Sequence, residues 1–258
     1  MPLFPDFFEN AAFNALFRKG GRTKELDLGM TFDEVKKLDE KLFHEGFRMT
    51  FLYEWYEGGD GSYQAAWEPG EGAQSWLVTD DFNHLFEQEA KHFKNGLRFK
   101  YLRCNDGRFT AIWHPGEGHQ FWLVNAIFDE FKAKDAEMRA KDFRLMHMCD
   151  DGGLYTAFWQ PGPIDYGWIS EGDSAIALDK FNTFIALEEK KGKRAVSFGG
   201  EKFCAVVHPG EEDQRIVIQK SENIFRKKAE ELFKEGFRIV DLFITTFETI
   251  EGESKTLE

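Results

Sequence analysis

The sequence has few cysteines, fewer basic than acidic residues and no long apolar run. Its 3 cysteines, an odd and low number, favour buried, reduced thiols over a disulfide framework. This usage favours a cytoplasmic protein, with a secreted protein as the alternative. The formal net charge of −13 argues against nucleic-acid or anionic-membrane partners, because both require basic patches. No apolar run approaches the length of a membrane-spanning helix.

Aromatic side chains are abundant, and they repeat along the chain. The 28 phenylalanines and 7 tryptophans supply enough apolar surface for a large core without disulfide bonds. Many belong to a unit of about 48 residues, and repetition at such a period indicates the architecture. Each copy places an aromatic residue, Ala, Trp and Pro-Gly at fixed spacing. The clear copies are Tyr63–Gly70, Phe109–Gly116 and Tyr155–Gly162, and the weaker ones are Phe203–Gly210 and Phe13–Gly20.

One arginine marks each of the five units, and an apolar residue follows four positions later. The arginines are Arg48, Arg98, Arg144, Arg194 and Arg238. Before the first of them, Phe32, Val35, Leu38 and Leu42 recur at helical spacing, and Gly46 is expected to end the helix in the left-handed conformation. In the first four units the pattern continues with two strands, a Pro-Gly turn and a third strand.

The two ends of the sequence complement each other. The N-terminal part carries a hairpin pattern, Phe13 to Leu28, and the last arginine strand, Phe237 to Phe247, has no hairpin after it. We therefore predict an α/β fold and a single domain of residues 1–258. It is expected to be a closed ring of five strand-strand-helix-strand repeats, with strands inside, helices outside and the N-terminal hairpin completing the last repeat. The repeat landmarks are 1–30, 31–80, 81–126, 127–174, 175–221 and 222–258.

The repeated unit resembles the bacterial tandem repeat domain 1 family. The residues that carry the resemblance are Phe32-Asp33-Glu34, Gly46-Phe47-Arg48, Tyr63, Ala65, Trp67 and Trp76. It covers nearly the whole chain and rests on pattern, without a catalytic signature. Repeats of that family occur beside serine hydrolase domains, as in polyglycine hydrolases, so the resemblance implies a recognition or scaffolding module. The Pro-Gly-Glu-Gly turns depart from the family, and the Ser-x-x-Lys motif of the hydrolase is missing.

The predicted ring is also similar in topology to the α/β propeller of the pentein superfamily. A shared topology does not give a shared function. Some penteins are enzymes that use cysteine chemistry in the central channel. This sequence places His147 and Cys149 on one strand face, with Asp150 next to them and Cys104 on the neighbouring strand. The two cysteines differ in register, which favours ordinary strand residues over a nucleophile.

The tryptophans form two sets with different expected roles. Trp67, Trp113 and Trp159 share one register, and we expect them to fill the core. The second set lies after the Pro-Gly turn and is expected to be the more exposed. It could stack on sugar rings, with glutamines as polar partners, although core packing is favoured here too. These candidate binding residues are Trp76, Trp122, Trp168, Gln74, Gln120 and Gln214.

Several other residue groups favour structural roles. The five arginines could ring an anion but more often hold helix C-termini. Asp60-Gly61, Asn105-Asp106-Gly107 and Asp150-Asp151-Gly152-Gly153 fit tight hairpins better than calcium sites. His114 and His208, with His119 nearby, lack the spacing of zinc ligands. No metal and no cofactor is therefore predicted.

We predict a non-catalytic recognition module that binds carbohydrate, in the manner of a lectin, or another small ligand through the repeated Trp and Gln positions. The alternatives are a pentein-like enzyme with a Cys-His-Asp site and a structural or assembly protein. If one unit carries a distinct site, the long loop of the first unit, with Trp55 and Tyr56, is a candidate position.

Overall fold

A computed structural model of the chain shows an α/β fold with five helices and five three-stranded antiparallel sheets. It describes residues 11–19, 25–57, 60–172, 175–200, 202–219 and 222–246. The predicted α/β class and the count of five repeats are thereby confirmed. None of the helices in these ranges combines the length and the apolar composition that crossing a membrane requires.

Each repeat supplies one helix and three strands. The helices are α1 Phe32–His44, α2 Phe82–Lys94, α3 Phe128–Arg139, α4 Ala175–Lys190 and α5 Glu222–Lys234. The first eight strands are β1 Ala11–Lys19, β2 Glu25–Met30, β3 Phe47–Glu57, β4 Asp60–Pro69, β5 Ser75–Thr79, β6 Leu97–Asn105, β7 Arg108–Pro115 and β8 Phe121–Ala126. The others are β9 Phe143–Asp151, β10 Leu154–Pro161, β11 Gly167–Glu171, β12 Lys193–Gly199, β13 Phe203–Pro209, β14 Gln214–Gln219 and β15 Phe237–Thr246.

Every sheet contains strands from two consecutive repeats. The orders are β2-β4-β3 in the first sheet, β5-β7-β6 in the second, β8-β10-β9 in the third, β11-β13-β12 in the fourth and β14-β1-β15 in the fifth. The third strand of a repeat therefore crosses to the next sheet, while the helix of the repeat directly precedes its own arginine strand. Helices α1 to α5 pack on the first to fifth sheets in order.

The N-terminal strand completes the last sheet, but the predicted N-terminal hairpin is wrong in one respect. β1 pairs with both β15 and β14, so the N-terminal segment completes the last repeat as predicted from the complementary ends of the sequence. β2, however, pairs with β4 of the first sheet. The two strands separate because the third strand of every repeat pairs with the following repeat.

Adjacent sheets contact one another and exchange hydrogen bonds. β3 contacts β6 and β7, and the same kind of contact links β6 to β9, β9 to β12, β12 to β15, and β15 to β3 and β4. The side chain after the Trp position binds a backbone carbonyl of the preceding sheet. These bonds join His114 Nε2 to Met49 O (2.8 Å), Gln160 Nε2 to Phe99 O (2.8 Å), His208 Nε2 to Leu145 O (2.6 Å) and Arg18 Nη2 to Ala195 O (2.6 Å).

Helix ends and turns follow the local sequence. Thr31 caps α1, and Glu34 returns a bond to the Thr31 N–H at 2.8 Å, which makes a capping box. Gly46 has a φ of +86°, so the predicted left-handed helix end is confirmed. The hairpin prediction is also confirmed at two acidic turns, where Asp106, Gly107, Gly152 and Gly153 have φ values of 49°, 72°, 57° and 88°.

One part of the core lies between the helices and the sheets. Trp67, Trp113 and Trp159 are fully buried, as predicted for the first tryptophan set. The apolar residues four positions after each arginine are fully buried as well; they are Leu52, Leu102, Met148, Phe198 and Leu242. The repeated pattern therefore forms a repeated apolar face beneath each helix.

Candidate functional site

A carboxylate on α1 joins the two tryptophan positions of the first repeat. Asp39 Oδ1 accepts the indole N–H of Trp67 at 2.8 Å and the side-chain amide of Gln74 at 2.7 Å. Its other oxygen, Oδ2, accepts the indole N–H of Trp76 at 2.8 Å. Trp67 lies in the first sheet and Trp76 in the second, so one carboxylate ties two sheets to one helix.

The third repeat has the same arrangement around Asp135. Its oxygens accept bonds from Trp159 Nε1 at 3.0 Å, Tyr166 Oη at 2.6 Å and Trp168 Nε1 at 2.8 Å. Burial tends to raise the pKa of Asp135, but hydrogen bonds from Tyr166, Trp159, Arg139 and Trp168 outweigh burial and lower the pKa. The carboxylate is therefore held ionised as an acceptor for two indoles.

The glutamines support irregularities in the arginine strands. The pairing register of each such strand shifts two residues after its arginine. Beside these bulges, glutamine Oε1 atoms accept backbone N–H groups. The bonds are Gln74 to Met49 (2.6 Å), Gln120 to Phe99 (2.9 Å) and Gln214 to Ala195 (2.9 Å). In the third repeat the hydroxyl of Tyr166 takes this place, accepting from Leu145 and donating to Asp135.

The helix carboxylate is a signal that sequence reasoning missed. Position 39 of the first repeat corresponds to Glu89, Asp135, Ile185 and Ala229. The three repeats with an acidic residue there are the three with both tryptophans. The fourth repeat has Val207 and Ile216 at the tryptophan positions and an apolar residue on its helix. The acid and the indoles therefore occur together.

The second repeat departs from this arrangement. Glu89 accepts Gln120 Nε2 at 2.9 Å. The indole N–H of Trp122 forms no hydrogen bond with any other described residue, whereas those of Trp76 and Trp168 are bound to aspartates. Phe82 and Phe86 lie beside Trp122, with ring centroids 6.1 Å and 6.2 Å from it. Both phenylalanines are unusually exposed for their size, at 45% and 55%.

We call Phe82, Phe86 and Trp122 the aromatic platform. The first and third repeats carry a lysine at the position of Phe86. Lys36 Nζ lies 4.5 Å from the centroid of Phe32, and Lys132 Nζ lies 4.7 Å from that of Phe128. Those two lysines cover the phenylalanine that corresponds to Phe82.

No model of a known protein family and no curated protein matches this sequence.

The cysteines and histidine of the catalytic alternative are buried. Burial raises the pKa of Cys149 to about 11 and that of Cys104 to about 12. Burial also lowers the pKa of His147 to about 3, and its Nδ1 lies 2.8 Å from Ser197 Oγ. Asp150 is buried, which raises its pKa, and it pairs with Lys202 at 3.3 Å. These shifts favour protonated thiols, which are weak nucleophiles.

The repeated arginines hold helix ends in four repeats. Arg48 Nη1 donates to Phe43 O at 3.2 Å and Nε to Gly72 O at 2.8 Å. Arg98, Arg194 and Arg238 make the corresponding bond to a carbonyl of the last helical turn. The third repeat differs, since Nε of Arg144 is buried and has no hydrogen-bond partner among the described residues. The structural role predicted for the arginines fits this geometry.

Two further candidate binding residues were predicted beside the long loop of the first unit. Trp55 is partly buried and packs against the core, and the side chain of Tyr56 lies outside the described residues. Within the described ranges, no three His, Cys, Asp or Glu side chains come together in a way that could hold a metal ion.

Proposed function

We propose that this protein is a non-catalytic recognition module and that the aromatic platform is its ligand site. The observation that supports the proposal is the difference between three equivalent tryptophans. Trp76 and Trp168 direct their indole N–H inward to carboxylates, whereas that of Trp122 has no partner among the described residues. Exposed Phe82 and Phe86 extend the same surface.

The chemistry of the platform suits a carbohydrate. The two phenylalanine rings are each inclined at 46° to the indole, and together they present apolar faces with one hydrogen-bond donor. A sugar ring has an apolar face for stacking and hydroxyl groups that accept such a donor. A neutral ligand also avoids the repulsion that the net charge of −13 imposes on anions.

We also infer that the five sheets close into a ring with the helices outside. The supporting contacts run from each sheet to the next and from the fifth back to the first. Each helix packs on its sheet opposite the row of side chains that bridges neighbouring sheets. The resemblance to bacterial tandem repeat domain 1 agrees with a rigid scaffold for recognition, and a ring would remove exposed sheet edges.

The test is a glycan-binding screen with substitutions that copy the other repeats. Phe86→Lys installs the residue found in the first and third repeats, so it should fold normally. It is expected to reduce binding of any glycan hit at least tenfold. Ile176→Lys makes a similar change at a side chain that is 71% exposed on α4, and it should leave binding intact. Equal binding by the Phe86→Lys variant would refute the platform.

A further inference from the structure

Two repeats place a lysine ammonium over the phenylalanine that begins the helix. Lys36 Nζ lies 4.5 Å from the ring centroid of Phe32. The corresponding distance from Lys132 Nζ to the Phe128 centroid is 4.7 Å. The electron-rich face of an aromatic ring attracts a cation at this distance. The place above this ring is therefore a cation position in both repeats.

An aspartate holds each of these ammonium groups. Lys36 Nζ donates to Asp33 Oδ1 at 2.8 Å. The distance from Lys132 Nζ to Asp129 Oδ1 is also 2.8 Å. Each aspartate directly follows the phenylalanine in the sequence. A cation above the ring is therefore within hydrogen-bond reach of the side chain of the next residue.

The second repeat keeps the ring and lacks the cation. Phe86 takes the position of the lysine, and Asn83 takes that of the aspartate. Among the described residues, no lysine or arginine lies over Phe82, Phe86 or Trp122. The side-chain oxygen of Asn83 can accept a hydrogen bond, and it accepts none from the part of the chain that the structure describes. The aromatic platform therefore has the surroundings of an ammonium without its own ammonium.

The charge around the platform favours a cation. Residues 80–90 carry four carboxylates and neither lysine nor arginine. These carboxylates belong to Asp80, Asp81, Glu87 and Glu89. The corresponding residues 30–40 and 126–136 each contain two lysines. Negative charge at a surface attracts a cationic ligand and speeds its association, and the net charge of −13 adds to this attraction.

We propose that the platform binds a carbohydrate through a protonated primary amine on the sugar ring, so that the ligand is an amino sugar. This inference rests on the proposed function. The ammonium lies over Phe82 and donates to Asn83 Oδ1, as Lys36 does in the first repeat. A neighbouring hydroxyl accepts the indole N–H of Trp122, which a simple alkylammonium would leave without an acceptor. The apolar face of the sugar stacks on Phe86.

The test is isothermal titration of the full chain with three oligosaccharides that share one backbone and one linkage. Oligomers of glucose, N-acetylglucosamine and glucosamine differ at a single ring carbon, which bears a hydroxyl, an acetamide or an ammonium group. We expect the glucosamine oligomer to bind about tenfold more tightly than the other two.

The same titrations distinguish this inference from the proposed function. Equal binding of the glucose oligomer, lost in Phe86→Lys, would overturn the amino-sugar inference and leave the platform as a carbohydrate site. Binding by none of the three at about 10 mM would also overturn the inference. The proposed function falls with it only when the glycan screen gives no ligand either.

Three variants separate this contact from general attraction to an acidic protein. Asn83→Asp copies the first and third repeats, and its charged acceptor should tighten binding of the glucosamine oligomer by about threefold. Phe86→Lys brings its own ammonium to Phe82 and should weaken that binding by about tenfold. Ile176→Lys adds the same charge at an exposed position of α4 and should leave binding unchanged. Binding that Asn83→Asp fails to tighten, or that Phe86→Lys leaves intact, would refute the inference.

Discussion

Trp76 donates its indole N–H to Asp39 Oδ2 at 2.8 Å, and this bond connects a strand of the second sheet to the helix that covers the first. The same carboxylate accepts the N–H of the fully buried Trp67. The carboxylate therefore links the first and second sheets, in addition to the side-chain packing and the hydrogen bonds between neighbouring sheets.

Replacing Asp39 should therefore destabilise the protein. Asp39→Ala leaves two indole donors and one amide without their acceptor, and each buried orphan costs about 1–3 kcal/mol. We expect the free energy of unfolding in urea to fall by at least about 2 kcal/mol. Asp33→Ala, on the exposed side of the same helix, should have a much smaller effect. Equal effects of the two substitutions would show that the carboxylate anchor is unimportant.

His114 should make the protein sensitive to acid. Burial lowers its folded pKa to about 4, whereas an unfolded histidine has a pKa of about 6.5. The unfolded state binds more protons between these values, so stability is present above pH 6.5 and is lost as pH falls toward 4.

His114→Gln tests that expectation without removing the bond between sheets, because Gln160 makes the equivalent bond in the third sheet. In the unmodified protein, His114 should lower the free energy of unfolding by up to about 1.4 kcal/mol for each pH unit that the pH falls in this range. The variant should lack this contribution. Burial raises the pKa of Asp241 to about 7, but this group titrates in both proteins and cancels in the comparison. Identical stability profiles from pH 4 to 7 would contradict the account.

The three cysteines should react slowly with thiol reagents. All are buried, and burial raises the pKa of each thiol, so the thiolate fraction at pH 7 is small. Mass spectrometry after brief iodoacetamide treatment of the folded protein should show little labelling, and labelling in urea should be complete. Rapid labelling of Cys149 alone in the folded protein would instead support the catalytic alternative.

Gly70 should tolerate no side chain. A Cβ at this position would lie 2.7 Å from Arg48 Cγ and 3.1 Å from Arg48 Cβ, atoms close to the backbone that cannot move freely. Gly70→Ala should therefore lower the thermal midpoint by several degrees, for a cost of about 1–3 kcal/mol. Arg48→Ala in the same chain should remove part of that penalty. Strict additivity of the two changes would argue against this contact.

The sequence predicted the repeated elements well because their signals are local. Helical spacing before Gly46 and the apolar position of Leu52 depend on neighbouring residues, and both are as expected. The separation of β1 and β2 was missed because strand pairing is decided by distant segments.

The candidate site was only partly visible in the sequence. The repeat indicated Trp122 among three similar tryptophans, but the distinguishing features lie on α2. In the sequence, Asp39 and Asp135 look like the acidic residues of any exposed helix face. Only the structure shows that they accept hydrogen bonds from tryptophan indoles. Phe86 stands out only when aligned with Lys36 and Lys132, whose ammonium groups cover the neighbouring rings.

The central claim is that Trp122, and neither Trp76 nor Trp168, meets the ligand. The most direct measurement is fluorine NMR of protein labelled with 5-fluorotryptophan, titrated with a glycan that the screen identifies. Trp122→Phe assigns the resonance. Our account predicts that the Trp122 resonance shifts with glycan concentration while those of Trp76 and Trp168 stay fixed. An unchanged Trp122 resonance, or equal shifts at all three positions, would contradict it.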